Sequence, residues 1–174
     1  MVWVIFYIYN HINTPQFTLS YLEITSRYFI LLLALTAPLY CIYSFGLLSS
    51  YSQYWTTPMQ PLFIIANILT AYYMFNFKVW RIPSILLMLI TFFPLFTFNI
   101  THNSLAVLFF LSCLVPLFKS KRYTYIKWVY LAGALVMFKN LMVGEWISIF
   151  AITLHHFLLL TKSIMLDNKK HPAH

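Results

Sequence analysis

The sequence predicts an all-α protein, a polytopic membrane bundle of about six transmembrane helices with both termini cytoplasmic. Three observations predict it. Of the 174 residues, 61% are hydrophobic and 8% are charged, with three acidic groups and three glycines. A soluble domain needs more polar surface than this to cover its core. Apolar runs near the ~20 residues that cross a bilayer recur along the chain. The eleven lysines and arginines fall in alternate loops, ten against one.

Taken in order, Met1–Ile12 is apolar and aromatic but too short to span, and it lacks the charged start and small-residue cleavage site of a signal peptide. It reads as an interfacial segment. Thr14-Pro15 then has the pattern of a helix start, and Glu23 and Arg27 stand one turn apart on that helix. The expected spans are Tyr28–Leu48, Pro61–Phe77, Ile82–Phe98, Asn103–Phe118, Tyr125–Phe138 and Val143–Ile164. This divides the chain into an N-terminal interfacial segment (1–27), a bundle (28–165) and a polar cytoplasmic tail (166–174). Pro38, Pro94 and Pro116 are expected inside spans, where neighbouring helices re-satisfy the freed carbonyls.

Arg27, Lys78, Arg81, Lys119, Lys121, Arg122, Lys127, Lys162, Lys169 and Lys170 share one set of loops, and Lys139 stands alone in the other. The positive-inside rule puts the first set in the cytoplasm. Tyr54, Trp55, Trp80, Trp128 and Trp146 fall near span ends, as an aromatic belt would. Short loops make consecutive helices antiparallel neighbours. With three glycines, packing is expected to rest on large side chains rather than on close backbone approach. The net charge of +8 is read as loop cations facing anionic lipid, and nucleic acid is not an expected partner.

Polar groups within membrane segments are costly, so each calls for an account. Asn99, His102, Asn103 and Ser104 open the fourth span, and Glu145, followed by Trp146, opens the sixth. His102 and Glu145 are expected at similar depth on the non-cytoplasmic side. There they form either a structural pair or an acid and base beside a lipid headgroup. Asn67 in the second span is a candidate interhelical hydrogen-bonding residue. His155 and His156 lie about 15 Å further along the sixth span and point about 100° apart, which does not suit one metal ion. They are expected as core histidines bonded to Asn67 or a tyrosine. No metal and no cofactor is expected. Cys41 and Cys113 sit in apolar spans as small hydrophobes.

THNSLAVLFFLSCLVPLF and VGEWISIFAITLHHFLL resemble two spans of the six-span Frag1/DRAM-like group of membrane proteins. On that resemblance His102 and Glu145 match the group's polar positions and Trp146 the aromatic beside the acid. Some members of the group are linked to lipid or GPI-anchor remodelling. The zinc-dependent ceramidase-like hydrolases are a poorer comparison, because this chain has no intramembrane Asp and its histidines lie at different depths.

The functional expectation is a small membrane scaffold or accessory subunit, not an enzyme, in a bacterial cytoplasmic (inner) membrane. Its expected partners are membrane lipids, another membrane protein or a second copy. A lipid-headgroup enzyme or carrier using His102 and Glu145 is the first alternative. An oligomeric channel or transporter lined by Asn67, His155 or His156 is the second.

Overall fold

The computed structural model describes residues 21–170, and the surroundings of side chains over residues 22–165. Met1–Ile12 and the Thr14-Pro15 start lie outside the described residues. Six α-helices and two 3₁₀ turns, with no strand, make up the described chain. They are α1 (Tyr21–Phe45), α2 (Gln60–Phe75), α3 (Arg81–Phe92), α4 (Asn99–Lys119), α5 (Thr124–Met137) and α6 (Leu141–Lys170). The 3₁₀ turns are Tyr51–Thr56 and Lys78–Trp80.

Local chemistry sets the boundaries. Gly46, at φ +72, supplies the left-handed residue that closes α1, and its N–H donates to the Ile42 carbonyl at 2.8 Å. Pro61 lies in the first turn of α2, where its missing N–H costs nothing. Asn140 caps α6 by accepting from the Val143 N–H at 3.1 Å. α3 stops at Phe92 because Phe93 precedes Pro94 and is pushed out of helical backbone, to φ −104 and ψ 90. The third helix is therefore shorter than the expected Ile82–Phe98, and Pro94 sits in a turn rather than inside a helix. Pro38 and Pro116 do lie within α1 and α4. Residues 21–27 are the opening turns of α1, and α6 continues as helix into the expected tail.

Among the described residues, three helical stretches are long and apolar enough to cross a membrane: Leu22–Phe45, Asn99–Lys119 and Leu141–Met165. α2, α3 and α5 measure about 24, 18 and 21 Å at 1.5 Å per residue, short of a ~30 Å hydrocarbon core. The apolar windows of the first two long stretches are only 28% buried. On α4 the uncovered side is the stripe Val107, Leu111, Val115 and Phe118, spaced as one face of a helix.

Each helix packs on its chain neighbour, and α6 returns to α1, closing the ring. Tyr28 near the start of α1 meets the far part of α6, its ring 5.3 Å from Phe157 and its hydroxyl 3.0 Å from that of Thr161. Both described chain ends thus lie at one end of the bundle, here called proximal. The Lys78–Trp80 turn packs there on His156, and Tyr123, before α5, donates to the Leu158 carbonyl at 3.3 Å. The Tyr51–Thr56 turn and the start of α6 meet at the distal end.

Hydroxyl-to-carbonyl bonds tie the helices sideways. Ser84 of α3 donates to the Ala71 carbonyl of α2, and Tyr130 of α5 to the Phe110 carbonyl of α4, each at 2.6 Å. Glycine also matters, against expectation. A Cβ on Gly144 would collide with the Met137 backbone nitrogen and stand 2.6 Å from the Gly133 carbonyl oxygen, so α5 and α6 meet backbone to backbone. The aromatic-belt reading also needs correction. Tyr54 and Trp80 are core residues, while Trp128 is exposed and Trp55 and Trp146 are half-buried.

Candidate functional site

On α6, Glu145, Ile149, Ile152 and Thr153 fall at helical spacing and face the bundle axis. On α2, Phe63, Ala66, Asn67, Thr70 and Met74 do the same. Between these faces lies a partly open chamber of about 70 Å³, completed by residues of α1, α3, α4 and the Tyr51–Thr56 turn. Its wall is largely apolar, with Glu145, Asn67, Thr70, Thr153 and Ser52 as polar points. A hollow of this size takes a few waters or a small head group, since an apolar cavity of about 150 Å³ accepts benzene.

Glu145 is 6% exposed. Its Oε2 accepts from the Tyr51 backbone N–H at 2.7 Å. Among the described residues, no lysine, arginine or histidine is ion-paired with it. The Tyr51 ring is held by Phe63, with centroids 4.9 Å apart, and by Tyr54 at 5.9 Å. Burial pushes the Tyr51 hydroxyl well above the ordinary tyrosine range, so it stays neutral. The carboxyl is thus fixed at one oxygen by a stiff aromatic turn and has no charged partner among the described residues.

His102 does not join Glu145. It is 2% exposed, and its Nδ1 lies 2.6 Å from the Phe93 carbonyl oxygen. A carbonyl only accepts, so the proton sits on Nδ1. Nε2 is buried with no partner among the described residues. The imidazole thereby ties the start of α4 to the end of α3, and the expected His–Glu pair is replaced by two separate backbone contacts. Asn99, Asn103 and Ser104 are exposed around it, with the Asn103 amide donating to the Asn99 side-chain oxygen. Trp146, half-buried beside Glu145, stacks on Phe150 at 6.1 Å.

His155 and His156 occupy a second buried region, one turn proximal of the chamber. His156 is 1% exposed, with ring centroids of Trp80 at 4.5 Å, Phe77 at 5.2 Å and Tyr73 at 5.3 Å. Both of its nitrogens, Nδ1 of His155 and the Tyr73 hydroxyl lack hydrogen-bond partners among the described residues. The expected bonds to Asn67 or a tyrosine are therefore absent there, because Asn67 faces the chamber and Tyr73 approaches edge to face. No group of three His, Cys, Asp or Glu side chains converges as a metal site among the described residues.

Sequence reasoning singled out Glu145 and Asn67 but missed Thr70, Thr153 and the Tyr51 backbone as their companions. The signal was present: Glu145, Thr153 and His156 are spaced by eight and three residues, which puts them on one face of a helix. No protein family, no curated protein and no solved structure matches the chain.

Proposed function

We propose that this chain is a multi-pass membrane protein whose six helices all cross, the three short ones with their flanking turns and a locally thinned bilayer, and that it binds an amphiphile of the membrane by taking its head group into the central chamber. The observation that carries the reading is the chamber itself, an apolar hollow with one buried carboxyl lacking a charged protein partner. Lining of this kind, mostly apolar with a few placed polar groups, is what small-molecule sites use. The chamber wall stops at Met74 and Thr153, and past it the rings of Phe77, Trp80 and His156 pack together. That favours holding a molecule over conducting one. A hydrolytic role lacks support, because among the described residues no base bonds to Glu145.

The proximal end carries the basic loops, so it is the cytoplasmic end in this reading, and the Tyr51–Thr56 turn faces the other side. The location follows as a cytoplasmic membrane, with lipid as the first partner.

Native mass spectrometry of protein released from lipid discs tests the binding. Wild type should retain one amphiphile adduct, and Ala66→Trp, which fills the chamber, should lose it with helicity unchanged by circular dichroism. Equal adducts in both would contradict the reading. Cysteines placed at Thr56 and Lys121 test the topology: a membrane-impermeant maleimide should reach them from opposite sides.

A further inference from the structure

Resting on that reading, we infer that the head group the chamber selects is a primary ammonium, carried on a single alkyl chain. The argument starts from charge. Glu145 is the one acidic side chain facing the chamber, on a chain with formal net charge +8. Only Oε2 is occupied, by the Tyr51 N–H. An ionised carboxylate held away from water is strongly destabilised unless a cation or several donors compensate it. Among the described residues no side-chain cation does so. A ligand cation completes the site.

Geometry narrows the class. A primary ammonium carries three N–H donors on a compact head. Glu145 and Asn67, both in the chamber wall, carry acceptors suited to it. Phe63, Phe109 and Phe110 also line the chamber, and an aromatic ring attracts a cation that meets its face. A trimethylammonium head has no N–H donor and is larger, and a hollow of about 70 Å³ disfavours it. The alkyl chain then leaves through the open side of the chamber.

The test compares decylamine, decanol and decyltrimethylammonium by calorimetric titration of the full chain in lipid discs, subtracting partition into empty discs. Decylamine should bind at least about tenfold more tightly than the other two. Glu145→Gln keeps an acceptor for the Tyr51 N–H and should lower decylamine affinity to that of decanol for the same variant. Equal affinities for decylamine and decanol, unmoved by Glu145→Gln, would overturn the ammonium assignment and leave the chamber as a neutral amphiphile site. Equal affinity for decyltrimethylammonium would overturn the choice of a primary head. Saturable binding of none of the three, or binding unaffected by Ala66→Trp, would overturn the underlying chamber reading. The three-ligand comparison on wild type stands without any variant.

Discussion

Glu145 and His156 lie on the same face of α6, about 16 Å apart along the helix, and are buried by opposite means. Glu145 borders a hollow and has an oxygen to spare. His156 is enclosed by three aromatic rings, and among the described residues both of its nitrogens go without partners. A polar group beside space can recruit a ligand. A polar group in close packing contributes shape and carries its unmet hydrogen bonds as a cost.

The largest expected effect breaks the packed region. His156→Ala should destabilise the bundle by about 2–4 kcal/mol, as large-to-small core changes do, read by denaturant unfolding in micelles. His156→Leu at the same position should be neutral or stabilising, because it keeps volume and removes two unpartnered nitrogens. Next comes the hydrogen bond at the chamber. Glu145→Leu strands the Tyr51 N–H and should cost about 1–3 kcal/mol, while Glu145→Gln should stay within about 1 kcal/mol. The finest comparison asks where an added side chain is tolerated. Ala151→Leu, in the core cluster with Trp80 and Tyr130, should cost about 1–3 kcal/mol. Ala66→Leu, at the chamber wall, should cost less than about 1 kcal/mol. Equal costs at the two alanines would mean that the hollow is not there.

Helix number and order were legible in the sequence, because apolar runs and short loops leave few alternatives for residues 21–170. The end of α3 was legible only in part: Pro94 was visible, but its effect on Phe93 competes with span length. The approach of α5 and α6 was harder. Gly133 stands four residues before the end of α5 and Gly144 three after the start of α6, so the two face each other across the turn, and a bare count of glycines hides that placement. Glu145 was legible as a costly group, but its partner was not, since a backbone N–H leaves no mark in the side-chain pattern. The His102–Glu145 pairing failed for the same reason: matching depth along two helices says nothing of which way each side chain turns.

The central claim is that an amphiphile head reaches Glu145. The chain has two glutamates, Glu23 and Glu145, so protein labelled with ¹³C at the glutamate carboxyl gives two resonances, assigned by Glu145→Gln. Titration with decylamine in lipid discs should move the Glu145 signal saturably and leave Glu23 in place, and Ala66→Trp should abolish the movement. A Glu145 signal unmoved by decylamine at saturation, or one that moves together with Glu23 in both proteins, would contradict the account.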